Sequence, residues 1–264
     1  MDTTRRSCFL EARHGSRTAS LAESFYMFSH FLTFIDSDPG ARVDAGARAS
    51  IVTLLRRIPN LARAHLFSPA VARDRYIDDG SPPMLTIQLY FERLEALEAA
   101  AGTQGALQTL AGAMPPSLLR TKGFHQVMWT RPYPTLQTPT VQPESRRSCA
   151  FLVHYPGEAQ DLNAWLSHYL HHHPQIMFHF PGIREIEIHT RVDWIDALPW
   201  QRVHYFQRNK IVFDSPEALE QALHSPTREQ MKADRASFPP FSGGNVHHPM
   251  ECETIVGPVF QTHA

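Results

Sequence analysis

Histidine is the residue type that stands out in this chain. Sixteen of the 264 residues are histidine, and twelve of these follow residue 150. His171, His172 and His173 are consecutive and precede Pro174. Imidazole titrates near pH 6.5, so it suits proton transfer at neutral pH. Neighbouring helical residues point about 100° apart, so all three cannot serve one site. We take His173 as the first candidate acid/base and His172 as the second; the alternative is that the run only complements the negative end of a helix.

Further candidates lie on a predicted strand over residues 184–194. Apolar and polar residues alternate there, which places Glu187, His189, Arg191 and Asp193 on one polar face. His189 is a candidate catalytic residue, or one member of a polar pair across two strands. Asp193 is four residues further on, about 13 Å along a strand, and is not its direct partner.

Several other side chains could bind or polarise a substrate. Tyr205 could hold a phenol or a carbonyl, and its neighbour His204 must face the other way. Arginines could bind a carboxylate, and tryptophans could stack on an aromatic ring or simply belong to the core. The substrate-binding candidates are His154, Arg184, Arg191, Arg208, Asp193, Trp194, His247 and Trp129.

Several classes of protein find no support in the sequence. The formal charge of −1 gives no basic face for nucleic acid, and no apolar run is long enough to span a membrane. Three cysteines make no disulfide framework, so we expect a reducing cytoplasm. There is no H-E-x-x-H, G-x-G-x-x-G or G-x-S-x-G motif. We therefore expect no metal and no cofactor; haem on one axial histidine is the alternative.

An internal repeat organises the chain. Residues 59–128, shifted by 122, match 12 of 70 positions without a gap, including Glu95–Glu98 on Glu217–Glu220 and His125 on His247. Each copy is predicted to run β-α-β-β-α-β, a ferredoxin-like unit. We predict a flexible extension over 1–25, one unit over 26–131, a proline-rich linker over 132–147 and a second unit over 148–264. The predicted fold is α+β, with two repeats packed sheet to sheet as one barrel and a ligand cavity between them.

The local periodicity assigns elements to both units. In the first we predict strands over 28–35, 61–67, 85–91 and 123–130, and helices over 42–57, 92–101 and 104–112. In the second we predict strands over 150–155, 183–192, 203–213 and 246–256, and helices over 158–172, 216–224 and 226–236.

One segment resembles a known family. Residues 169–190 carry His172-His173-Pro174 and then Pro181-Gly182-Ile183-Arg184, which is similar to the signature of the EthD-like family of the dimeric α+β barrel superfamily. The likeness covers about 149–256, and the first unit lacks the His-x-Pro element. The resemblance implies a hydrophobic cavity with an acid–base residue in the second unit.

The resemblance and the histidines together suggest a function. We expect a cofactor-independent lyase or isomerase that decarboxylates, dehydrates, cyclises or opens a small aromatic or polycyclic compound. Such an enzyme belongs to the breakdown of aromatic compounds, and it could form a homodimer. The alternatives are a haem-dependent or cofactor-free monooxygenase and a barrel that binds an apolar ligand without turnover.

Overall fold

The computed structural model describes residues 27–136 and 147–256. The predicted extension over 1–25 and most of the predicted linker lie outside these residues. The strands are β1 (Met27–Ile35), β2 (Arg63–Pro69), β3 (Leu85–Phe91), β4 (Lys122–Tyr133), β5 (Arg147–Tyr155), β6 (Glu185–Arg191), β7 (Gln201–Arg202), β8 (Gln207–Phe213) and β9 (Val246–Val256). The helices are α1 (Ala45–Leu55), α2 (Leu94–Ala101), α3 (Ala106–Gly112), α4 (Pro116–Leu119), α5 (Leu162–Met177), α6 (Pro216–Leu223) and α7 (Pro226–Ala236).

Eight strands close into one antiparallel barrel. Their order is β1-β3-β2-β9-β5-β8-β6-β4, and β4 pairs back with β1. The two halves of the chain join at β2–β9 and at β4–β6. Closure removes the free edges of two four-stranded sheets, which would otherwise expose unpaired backbone groups. The predicted α+β barrel is thus confirmed.

The two halves follow the predicted spacing closely. β2, β3 and α2 lie 122 residues before β6, β8 and α6, with the same lengths. Alternation along each strand sends one set of side chains into the barrel and the other towards the helices. On β6, Ile186 and Ile188 pack in the helix-facing core of the second half, as the sequence predicts.

Each half carries a long loop that packs on the helices of the other. The loop after β2 places Ala70 and Ala72 against the helix-facing core of the second half. The loop after β6 places Trp194 and Leu198 in that of the first half. The halves therefore share their cores as well as their sheet.

The largest departure from the sequence prediction is at α5. The prediction ended this helix at residue 172, whereas it continues through Pro174 to Met177. Proline has no N–H for the carbonyl four residues earlier. The Tyr133 hydroxyl donates to that carbonyl, Leu170 O, at 3.3 Å. The three histidines are therefore inside the helix, and its C-terminal dipole is not what places them.

The remaining departures are at element ends, apart from the short elements α4 and β7, which the sequence did not predict. The predicted strand over 203–213 is shortened to β8, and the short β7 precedes it. β4 continues to Tyr133, into the predicted linker.

Candidate functional site

A cleft opens between the outer face of the second sheet and the helices α5 and α7. It contains about 480 Å³ of space not filled by atoms, and this figure includes the solvent at its open mouth. One wall is apolar and is formed by Phe151, Val153, Met177, Phe180, Ile211, Leu223 and Met231. The loop after β2 adds Ile77, and the remaining lining residues are polar: Tyr155, His173, Asn209, Arg228, Arg235, Asn245 and His247.

His173 forms a hydrogen-bonded pair with Asp234 at this cleft. Its Nδ1 lies 2.7 Å from Asp234 Oδ2, which joins α5 to α7. The imidazole is 6 % exposed and lies between the rings of Tyr169 and Phe238. Because Nδ1 is bonded to the carboxylate, Nε2 is the nitrogen left to accept a proton.

Burial and the carboxylate act on this pair in opposite directions. Burial lowers the pKa of His173, and the hydrogen bond that His173 donates to Asp234 only partly offsets this shift. Burial would raise the pKa of Asp234, but the bond to His173 and the neighbouring imidazoles of His168 and His172 together outweigh burial and lower it. The pair is therefore a neutral imidazole oriented by an ionised carboxylate, the form in which histidine acts as a base.

A buried amide without a complete set of partners faces the same cleft. Asn209 Nδ2 donates to the Tyr169 hydroxyl at 2.6 Å, while its Oδ1 is buried without a hydrogen-bond partner. Burial raises the pKa of Tyr155 and Tyr169, so both hydroxyls stay protonated. An unpaired buried polar atom is costly, and a ligand hydroxyl would satisfy it.

His247 lies on the other side of the cleft with both ring nitrogens occupied. Nδ1 is 2.7 Å from Asp79 Oδ2, and Nε2 is 3.1 Å from Asn245 Nδ2. Its ring stacks on Phe151. Burial lowers the pKa of His247 despite Asp79. His247 thus holds the cleft wall in place. His173, in contrast, has a hydrogen-bond partner among the described residues only at Nδ1, which leaves its Nε2 available.

Two arginines on α7 line the cleft. Arg228 is buried and donates from Nε to Asp74 Oδ2 at 2.7 Å. Arg235 is exposed and donates to Asn245 Oδ1 at 3.0 Å. The loop after β2 supplies both aspartates, Asp74 and Asp79, so the first half of the chain helps to close a cleft in the second.

The interior of the barrel contains a dense polar cluster. Fully buried Lys210 bonds the Tyr90 hydroxyl at 2.6 Å and lies 3.0 Å from Glu187 and 3.1 Å from Glu185. Arg63 lies 2.6 Å from Glu187. The predicted polar lining between the sheets is present, and its side chains bond one another. The cleft described above lies on the opposite face of the sheet.

The other predicted site residues lie outside the cleft. His172 is exposed, with Nδ1 2.8 Å from His168 O. His189 is inside the barrel, with Nδ1 3.0 Å from Thr130 Oγ1. Tyr205 stacks on His154 at 4.3 Å near one end of the barrel, and Arg208 is buried beside them.

The remaining predicted residues do not come together. Arg184 pairs with Asp214, and Arg191 and Asp193 are exposed. Trp194 packs in the helix-facing core of the first half, and Trp129 stacks with Arg131. Of the predicted site residues, the cleft therefore contains His173 and His247.

Sequence reasoning missed Asp234, Asn209 and the two arginines of α7. One signal was available: Arg228, Met231 and Arg235 are spaced three and four apart, so they share one helix face. Asp79 offered none, because it lies in an irregular loop that folds onto the opposite half.

Within residues 27–136 and 147–256 no three histidine, cysteine or acidic side chains cluster as metal ligands would. In the same ranges no helix has the length and apolar character needed to cross a bilayer.

Comparison with known proteins finds matches to the fold of this chain among solved structures. No family profile and no curated protein sequence matches the chain. An anthrone oxidase-like protein of known structure superposes with a TM-score of 0.59 at 13 % identity, covering 92 % of this chain and 98 % of that one. A proposed monooxygenase from Fusobacterium nucleatum gives 0.52 at 6 % identity, covering 89 % and 97 %.

An EthD family protein from Bacillus halodurans also matches, with 18 % identity over 37 % of this chain and 95 % of that one, at a TM-score of 0.29. That value is too low to support membership of the EthD family. The chain has the fold of the dimeric α+β barrel superfamily, with all eight barrel strands in one polypeptide.

Proposed function

We propose that this protein is an enzyme that moves a proton on a small, largely apolar aromatic compound, with His173 as the general base. The single observation that carries the proposal is the His173–Asp234 pair, set at the edge of an apolar cleft. Fold alone does not define a reaction, so the proposal depends on these residues.

The pair defines the proton transfer. Asp234 accepts the Nδ1 hydrogen of His173 and so fixes the tautomer in which Nε2 carries a lone pair. Nε2 takes a proton from a phenol, or from a carbon next to a carbonyl group, and leaves a phenolate or an enolate. Asn209 Oδ1 accepts a hydrogen bond from a substrate hydroxyl, and the apolar wall holds the ring. The imidazolium then returns its proton to the product.

Two reaction classes begin with this step. Return of the proton to another carbon gives an isomerase. Return of the proton to the ring carbon that carries a carboxylate, followed by loss of carbon dioxide, or to a departing hydroxide that leaves as water, gives a lyase. The cofactor-free monooxygenase alternative adds dioxygen to the same anion. The anthrone oxidase-like protein and the Fusobacterium protein share the fold with this chain, and this makes anthrone a reasonable first probe.

Hydrogen–deuterium exchange tests the proton transfer without knowledge of the product. Anthrone and a panel of hydroxylated aromatic ketones are incubated with the protein in deuterium oxide without oxygen, and the deuterium uptake is measured by mass spectrometry. Enzyme-dependent exchange is expected to fall by about 10²–10⁴ in His173→Asn. Asparagine can still donate to Asp234 but carries no base.

His172→Asn is the matched control, because His172 is the adjacent residue on the exposed face of the same helix. It should exchange deuterium at the wild-type rate. Equal exchange rates in the His173→Asn variant and the wild-type protein would overturn the proposal. Oxygen uptake in a parallel aerobic reaction would indicate the monooxygenase class.

The same pair favours a second candidate, the haem-dependent oxygenase. Imidazoles that ligate a metal commonly donate their other N–H to a carboxylate, as His173 does to Asp234. His173 would hold the iron, Asp234 would orient the ring, and the haem would supply redox chemistry when bound. A Soret band in the spectrum of the purified protein would support this candidate.

We also propose that the two halves arose by tandem duplication, with units over 26–131 and 148–264 and a linker between them. The support is the repeat of element lengths at a constant shift of 122 residues. In this view the second unit keeps the cleft and the first unit is its structural partner.

A further inference from the structure

A buried arginine lies at the end of the barrel where β5 ends and β8 and β9 begin. Arg208 points into the barrel from β8 and is 8 % exposed. Its neighbours define what we call the Arg208 cluster: Arg208, His154, His248, Tyr205 and Phe31. On adjacent strands, Arg208 pairs directly with His154.

Arg208 has no acidic partner within the part of the chain that the structure describes. Among the described residues no side-chain or backbone oxygen accepts a hydrogen bond from its guanidinium, and Nε is buried without a partner. The guanidinium carbon lies 4.6 Å from the centre of the Phe31 ring and 4.8 Å from that of Tyr205. Such ring contacts stabilise the cation through the ring quadrupole and use none of its N–H donors. The N–H groups of the planar Arg208 guanidinium are therefore free of acceptors among the described residues.

The nearby histidines add donors but no counter-charge. Burial lowers the pKa of His154 well below its usual value, and the charge of Arg208 and the neighbouring His248 lower it further. Burial also lowers the pKa of His248, to about 4. Both rings are neutral at pH 7, so each can donate one hydrogen bond. The Nδ1 of His248 is buried and has no partner.

Deeper in the barrel the charges already cancel. Arg63 and Lys210 face Glu185 and Glu187 across distances of 2.6–3.2 Å, which gives two positive and two negative charges. Burial lowers the pKa of Arg208 to about 10, so it is charged at neutral pH. Among the described residues of the barrel interior, Arg208 is thus the cation left without a negative partner, and a buried unpaired charge is costly.

We propose that the Arg208 cluster is a binding site for a small oxoanion, held by the guanidinium fork of Arg208 with His154 and His248 as additional donors. Guanidinium binds carboxylate and phosphate in a two-pronged geometry. The site is separate from the cleft: on β8 and β9 the alternate residues Asn209 and His247 face the cleft, while Arg208 and His248 face the barrel. The proposal is therefore independent of the proposed function.

Thermal denaturation at constant ionic strength tests the site, with sodium chloride replaced stepwise by acetate, benzoate or phosphate. A ligand that binds the folded state alone raises Tm in a saturable manner. We expect a saturable rise of at least about 2 °C with one of these anions. A tighter carboxylate would assign the ligand as an organic acid, and tighter phosphate would assign it as a phosphorylated compound.

Variants locate the anion. Arg208→Met should abolish the rise, and Arg208→Lys should weaken binding at least about tenfold, because it keeps the charge but loses the fork. Arg191→Met, an exposed arginine, and Arg235→Met, an arginine at the cleft, should retain it. If neither Arg208 variant folds, the Nε–H resonance of Arg208 in the wild-type protein should shift on titration. No saturable rise, or a rise lost in Arg235→Met and kept in Arg208→Met, would overturn the proposal.

Discussion

His125 and His247 lie 122 residues apart on the last strand of their respective halves, and each faces an aspartate. His247 Nδ1 is 2.7 Å from Asp79, and His125 Nε2 is 3.8 Å from Asp196. Each aspartate comes from the loop of the opposite half. The surroundings differ, because His125 bonds a second buried imidazole, His30, at 2.9 Å, whereas His247 stacks on Phe151 beside the cleft. The shared position links the halves structurally, and this supports His173 rather than His247 as the base.

Under the proposed function, the pH dependence of activity follows from the protonation state of His173. Its pKa lies below the ordinary 6.5 because of burial, and Asp234 opposes that shift. The base is active when neutral, so the rate should be constant at neutral pH and fall as the pH drops through that lowered pKa. Asp234→Asn should move the acidic limb to lower pH still and reduce the rate at neutral pH at least about tenfold.

A pH–rate profile of deuterium exchange measures both effects. Asp161→Asn is the control, because Asp161 caps α5 through Ala164 N and does not contact His173. A limb that stays in place in Asp234→Asn would show that the carboxylate does not orient this imidazole.

Stability should also fall in acid, for a related reason. Burial lowers the pKa of His30 well below 6.5, and the neighbouring His125 and Arg202 lower it further by electrostatic repulsion. Below about pH 6.5 His30 binds a proton in the unfolded chain but not in the folded chain. Stability is therefore full above that pH and is lost as the pH falls, by up to about 1.4 kcal/mol per pH unit for each such histidine.

His30→Phe should flatten this slope by about one histidine, since phenylalanine does not titrate. Urea unfolding at several pH values between 4.5 and 7.5 measures the slope. Phe28→Leu, on the same face of β1, should change stability without changing the slope. An unchanged slope in His30→Phe would mean that this imidazole is charged in the folded protein.

Much of the fold could be predicted from the sequence because it depends on local signals. Alternation marked β1 and β6, and the shift of 122 residues gave the order of elements. The end of α5 could not be predicted, because what allows the helix to pass Pro174 is a hydroxyl on β4, 37 residues away.

The site was less predictable than the fold. His173 was chosen as a candidate for its residue type and its place before Pro174, and the structure places it at the cleft. Its partner Asp234 is 61 residues away on another helix, and one sequence carries no signal for such a pairing. The expected cavity between the sheets assumed that a polar lining implies space. In the molecule, oppositely charged side chains of both halves fill that lining and bond each other.

The polar cluster in the barrel leads to a prediction on stability. Burial would raise the pKa of Glu187, but Lys210 and Arg63 outweigh it and lower it to about 2. Lys210→Met leaves Glu187 with one cation fewer in a buried setting and should cost about 3–5 kcal/mol. Lys232→Met, at an exposed position on α7, should stay within about 0.5 kcal/mol. Urea unfolding at pH 7 measures both, and similar values for the two variants would contradict a structural role for this cluster.

The last prediction concerns a close backbone contact beside the cleft. A Cβ atom on Gly157 would lie 2.0 Å from the Ser242 carbonyl oxygen, and a Cβ atom on Gly243, whose φ is 75°, would lie 2.7 Å from the Gly157 backbone. This contact fixes the segment that carries Asn245, the partner of His247 and Arg235. Gly157→Ala should therefore destabilise the protein by about 1–3 kcal/mol and should loosen the cleft. Gly112→Ala is the control, because a Cβ there meets no atom within 4 Å, and it should leave stability unchanged or raise it by up to about 1 kcal/mol. Thermal unfolding measures stability, and hydrogen exchange of the backbone amides of residues 241–247 reports the segment. Equal protection of that segment in both variants would show that the glycine contact does not hold it.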